Sequence, residues 1–270
     1  MTSSTSPSTP LARRAVICTL STGAWRVEKT HAGETAAVNA RHGTRNVATV
    51  KTHICEHPAL LEIYRLTAEA RAEHNRLTLP AGDKGVRLLP VARQAEHASL
   101  MADYRSKLDG LLREFVTAYP AERAAAPARL NGLYVEKQWP VSAAEVESRF
   151  AFTVRYLPVP EVGQWSEWMT EAAAEAQTDL RDRLRDAITL VAKRLSDPKS
   201  RVYGSLTGNL AELLALAPDL NLAADPEIAA LADKASALLE HDTETLRDDP
   251  LARADIAAKA SEIVSLFNLS

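Results

Sequence analysis

The chain has 270 residues, 47 of them alanine, with 46% hydrophobic and 25% charged residues but only 5% aromatic. Its 10 glycines and 14 prolines exclude a collagen-like chain or a glycine linker. Alanine loses no side-chain entropy in a helix, so the composition predicts a mainly helical protein, as one large domain or two small ones. No apolar run approaches the ~18–20 residues that cross a bilayer. The two cysteines, Cys18 and Cys55, make no disulfide framework and are expected as buried thiols. The formal net charge of −3 divides unevenly: residues 1–120 carry 16 Lys+Arg against 11 Asp+Glu, and residues 121–270 carry 16 against 24. Neither half holds a dense run of like charge, which favours two solvated surfaces over a dedicated basic half.

The start is rich in Ser, Thr and Pro. Arg13 and Arg14 precede only a short apolar patch, which is no signal peptide. Residues 1–13 are therefore expected to be a disordered tail and the protein to be cytoplasmic. Ala15–Thr19 and Trp25–Val27 are β-compatible. Thr30 is placed to cap a helix through Ala40, stopped at His42-Gly43. Asn46–Ile54 has β-branched residues in partial alternation, predicting a strand. A helix starts at His57-Pro58 and runs to about Asn75, with Leu60, Tyr64, Ala68 and Arg71 at helical spacing. Residues 81–85 read as a turn and 85–89 as a short strand.

From Val91, Leu100, Tyr104, Leu108, Leu111 and Phe115 form a long apolar stripe. It predicts a central scaffold helix ended by Pro120, with a separate short helix over 121–130. Ser142-Ala-Ala-Glu145 fits a capping box before a helix to Arg149. Phe150–Tyr156 alternates as the best strand in the chain, closed by Pro158 and Pro160. Beyond Ser166 the pattern is helical. Leu180, Leu184, Ile188, Val191 and Leu195 form one stripe, and Asp-Pro pairs at 197, 225 and 249 punctuate the helices that follow. Arg181, Arg183 and Arg185 read as a solvated helix face. The expected fold class is α+β, mainly helical. A small N-terminal sheet with packed helices occupies 14–160, and a helical bundle occupies 165–270, the two being able to pack as one unit.

His53, Cys55 and His57 are the only metal-like cluster. On a strand, residues two apart share a face, and Cys18 could supply a fourth ligand to a tetrahedral zinc. The spacing matches no common zinc signature, and the competing reading is a strand end with one buried thiol. Arg41, Arg45 and Lys51 form a modest basic segment for nucleic-acid phosphates, although the pI of about 6.2 is not that of a dedicated binder. Trp165 and Trp168 either anchor the bundle or form a partner patch. Glu145, Glu147 and Asp103 are acid–base candidates that nothing separates from solvated helix faces. There is no G-x-S-x-G, H-E-x-x-H or P-loop, and no cofactor is implied.

The segments LTLPAGDKGVRLLPVA, FVTAYP and SRFAFTVRYLPVPEVGQW, in that order along the chain, resemble an uncharacterised family of bacteriophage and prophage proteins. The resemblance covers most of the chain after about residue 20. It implies a role inside a bacterial host cell and carries no catalytic or binding residues with it. The leading expectation is a non-enzymatic interaction or assembly module that binds a phage or host protein or self-associates, away from membranes. The alternatives are an accessory DNA- or RNA-binding protein using the basic N-terminal half, and an enzyme or zinc site around His53–His57.

Overall fold

A computed structural model describes residues 11–82, 85–160 and 166–267. In chain order the elements are α1 (Leu11–Arg14), β1 (Ala15–Gly23), β2 (Glu28–Thr30), α2 (Ala32–Arg41), β3 (Lys51–His53), α3 (Pro58–Leu77), β4 (Leu79–Pro80) and β5 (Val86–Pro90). They continue with α4 (Gln94–Leu130), α5 (Ala143–Ser148), β6 (Ala151–Pro158), α6 (Ser166–Ser196), α7 (Gly204–Leu220), α8 (Pro226–Ser236), α9 (Thr243–Asp248) and α10 (Pro250–Phe267). The chain is mainly helical α+β, with a four-stranded antiparallel sheet in the order β4-β5-β1-β6 and a separate β2-β3 pair. Leu11–Arg14 is helical, so the expected tail through residue 13 is helical at its end. Its first ten residues lie outside the described residues.

Two compact units divide the chain differently from the expected break between residues 160 and 165. The bundle unit takes Met1–Thr19, Asn75–His97 and Arg155–Ser270, and the aromatic unit takes Leu20–His74 and Ala98–Val154. The reason is register. Ala15–Thr19 pairs antiparallel with Val86–Pro90, so the first strand is claimed by residues far along the chain. The charge split of the linear sequence disappears with this division. The aromatic unit carries 14 Lys+Arg and 13 Asp+Glu, and the bundle unit 18 and 22.

In the bundle unit, the predicted stripe Leu180, Leu184, Ile188, Val191 and Leu195 is buried along α6. Its C-terminal part meets Leu210, Ala235, Leu238, Ile256, Ala260 and Ile263 in one aliphatic core. Each such large side chain contributes ~1.5–3 kcal/mol before entropy. Asp225 Oδ1 accepts from Glu227 N at 2.8 Å and Asp249 Oδ1 from Leu251 N at 2.8 Å, so two of the three Asp-Pro pairs cap helices. The third does not, because α7 starts only at Gly204. The end of α6 is closed by Arg253 instead, whose guanidinium donates to Leu195 O and Arg194 O, both at 2.9 Å.

In the aromatic unit, α4 does not end at Pro120. It runs 37 residues through Pro120 and Pro127 to Leu130. An interior proline costs about 3 kcal/mol or more. The helix continues because Phe115 and Tyr119 before the prolines, Ala126 between them and Leu130 after them enter the same core. That core is ringed by Trp25, which stacks on Phe115 at 6.2 Å between centroids and meets Trp139 edge-on at 5.5 Å. Tyr119 Oη donates to Pro140 O at 2.6 Å, and Tyr64 Oη donates to Trp25 O. Ser142 accepts from Glu145 N at 3.2 Å as the capping box predicts, while Glu145 reaches back to Val141 N at 2.7 Å.

The expected strand over 46–54 shrinks to Lys51–His53. The buried amide of Asn39 explains this. Its Nδ2 donates to Ala48 O at 2.8 Å, and its Oδ1 accepts from Ala48 N at 3.0 Å and Val47 N at 3.2 Å. Backbone groups engaged in this way are not offered to a ladder.

Candidate functional site

The basic segment is split by its surroundings. Lys51 Nζ lies 2.6 Å from Glu28 across the β2-β3 pair, which neutralises it. Arg41 ends α2, and Arg45 sits on the loop held by Asn39. Both are exposed, and neither enters an ion pair among the described residues. Trp165 lies outside the described residues. Trp168 is half-buried against the backbone at Gly82, where a Cβ would stand 3.5 Å from its Nε1. Gly82 has φ of +76°, a left-handed conformation that favours glycine. Arg181 and Arg183 are not a solvated face. Arg181 bridges Asp225 at 3.0 Å and Glu227 at 2.7 Å, and Arg183 donates to Thr78 O at 2.9 Å.

His53, Cys55 and His57 do not converge. His53 is exposed, with Nε2 3.7 Å from Glu28. Cys55 is fully buried in the aromatic core. His57 Nδ1 accepts from Ala59 N at 3.2 Å at the start of α3, and its ring packs on Phe115 at 5.5 Å. The chain leaves the strand after His53, so the two-residue alternation that would have aligned the three is lost. Cys18 belongs to the other unit. Among the described residues these four form no cluster of ligand atoms.

The bundle unit instead gathers Cys18 on β1, His97 on α4 and Tyr156 on β6. Cys18 and His97 are both 0% exposed. Cys18 Sγ and a ring nitrogen of His97 lie within 4.8 Å of each other. His97 Nδ1 is 2.8 Å from Tyr156 Oη, with the two rings perpendicular at 5.7 Å. Burial pushes the Cys18 thiol up to about 12, opposed by the Arg87 guanidinium. Burial likewise lowers the His97 pKa and raises that of Tyr156 to about 12, so all three are neutral near pH 7. Sequence reading missed His97 because it lies upstream of the stripe beginning at Leu100. A signal was present, since His97, Met101, Tyr104 and Leu108 step by 4, 3 and 4.

The aromatic unit carries a second feature, an open cavity of about 360 Å³. Its lining is mixed, with Ile63, Leu112 and Phe152 beside Arg105, Asp109 and Glu147. Strand β6 ends the sheet order beside it, and Arg105 Nη1 donates to Phe152 O at 2.8 Å. Glu147 is the only former acid–base candidate in the lining. Glu145 is engaged by Arg149 at 2.5 Å; that guanidinium, with Val141 N, holds its carboxyl below the ordinary range.

No protein-family model, curated protein or solved structure matches the chain. No described helix is long and apolar enough to cross a membrane.

Proposed function

We propose that this chain is a non-enzymatic interaction module that seats an extended, amphipathic segment of a partner protein in the cavity of the aromatic unit. The observation that carries this reading is the open cavity beside strand β6, where apolar side chains such as Leu112 and Phe152 stand next to Arg105, Asp109 and Glu147. Edge strands and neighbouring apolar pockets together receive extended peptides, the backbone giving affinity and the pocket giving selectivity. The resemblance of LTLPAGDKGVRLLPVA and SRFAFTVRYLPVPEVGQW to phage and prophage proteins supports a phage or host protein of the bacterial cytoplasm as the proposed partner. Nucleic-acid binding is the weaker reading, because Lys51 is neutralised by Glu28 and the unit bearing Arg41 and Arg45 is close to charge balance.

The test is affinity capture from cells that make the protein, with wild type and with Leu112→Glu, which charges the half-buried lining. A protein captured by wild type and lost with the variant supports the reading, provided the two have the same circular dichroism and melting midpoint. Equal capture by both sinks it. Capture abolished by nuclease, together with a gel shift that weakens as salt rises, would transfer the assignment to nucleic acid.

A further inference from the structure

We propose that Cys18 and His97 ligate a thiophilic metal ion in the bundle unit, with the Tyr156 hydroxyl orienting the imidazole. Three elements converge here that are distant in sequence: β1 brings the thiol, the first turns of α4 bring the ring, and β6 brings the phenol. Leu88 and Leu89 on the paired strand β5 are buried, and Arg87, the register partner of Cys18, is the charged group beside the thiol. An aliphatic pair of similar volume would fill that space without the cost of burying polar groups. Thiolate and imidazole together are the donor set of zinc and of other soft ions.

The geometry admits the ion. Bonds of about 2.3 Å to sulfur and about 2.0–2.1 Å to nitrogen at a tetrahedral angle set sulfur and nitrogen about 3.6 Å apart, so a pair within 4.8 Å closes by about an ångström at most on binding. The His97–Tyr156 hydrogen bond is the outer-shell contact that ligating histidines use to fix ring orientation and tautomer. On binding, the Cys18 thiol gives its proton to solvent and the sulfur lone pair forms the metal bond, so uptake releases one proton. Water or a further side chain completes the shell. This proposal is independent of the partner-binding reading, which concerns the other unit.

The chain has two cysteines, which makes the assignment direct. The full chain, reduced and chelator-stripped, is titrated with Co²⁺ as the optical probe and then with Zn²⁺. The expected result is a sulfur-to-cobalt charge-transfer band that saturates at one equivalent and is displaced by zinc. The band persists in Cys55→Ser and vanishes in Cys18→Ser. Tyr156→Phe weakens affinity by about 10–100-fold while leaving the band position unchanged. Should Cys18→Ser fail to fold, the Cys55→Ser titration alone assigns the sulfur, and a rise in the wild-type melting midpoint with zinc gives a variant-free readout. Absence of any charge-transfer band in folded wild type overturns the proposal, as does a band that disappears in folded Cys55→Ser.

Discussion

The two units solve the same packing problem with opposite materials. The aromatic unit is built around Trp25, Phe115, Tyr119 and Trp139, whose rings meet at 5.5–6.2 Å. The bundle unit uses leucine, isoleucine and valine on α6, α7 and α10, with Ala235, Ala257 and Ala260 where helices approach closely. A few large rings concentrate stabilisation in single residues, while many small contacts spread it along helices. Trp25 Nε1 and Trp139 Nε1 meet no hydrogen-bond partner among the described residues. Stacking and edge contacts therefore orient the tryptophans, and small displacements are costly there.

This contrast can be broken from either side. Trp25→Ala should lower unfolding stability by about 3–5 kcal/mol in urea titrations. In combination with Trp139→Ala the losses should be non-additive, because the two rings touch. Equal, additive losses would remove the idea of a concentrated core. In the bundle unit, Ile188→Ala should cost about 2–5 kcal/mol by the same measurement. Enlarging Ala260, which is fully buried, to leucine should cost about 1–3 kcal/mol through overpacking. A neutral Ala260→Leu would show that the helices are looser than the small residues imply.

A smaller effect lies at the start of α8, where Asp225→Ala should cost about 0.5–2 kcal/mol at neutral pH. Burial alone would raise the pKa of Asp225, but Glu227 N, the Gln177 amide and the Arg181 guanidinium outweigh it and hold the carboxyl below the ordinary aspartate range. A depressed folded pKa contributes stability above the unfolded value of about 3.9, and that contribution is lost as pH falls through the folded value. The gap between wild type and Asp225→Ala should therefore be constant near pH 7 and shrink in acid. Smallest of all, Ser142→Ala should cost about 1 kcal/mol, read as a shift in urea midpoint.

The helical stripes were legible in the sequence because burial on a helix repeats with the helix period. Leu180 through Leu195 are buried where spacing placed them. The Asp-Pro starts at 225 and 249 were legible because capping is local. What escaped depends on distant partners. The path of α4 through Pro120 needs residues 115–130 to share one core, which no local rule reports. The shortening of the 46–54 strand is decided by one amide at Asn39. Of the candidate metal residues, only Cys18 has a buried histidine beside it, because His97 and Tyr156 come from 79 and 138 positions further along the chain. Arg41 and Arg45 kept their exposure, whereas the ion pair of Lys51 required knowing the β2-β3 register.

Pro120 and Pro127 are seven residues apart, close to two full turns, and both are exposed. They therefore lie on one side of α4, and each tilts the axis away from its own ring, so the two tilts add. Alanine at both sites would restore two backbone donors and improve local helix propensity, and would remove the tilt that each ring imposes.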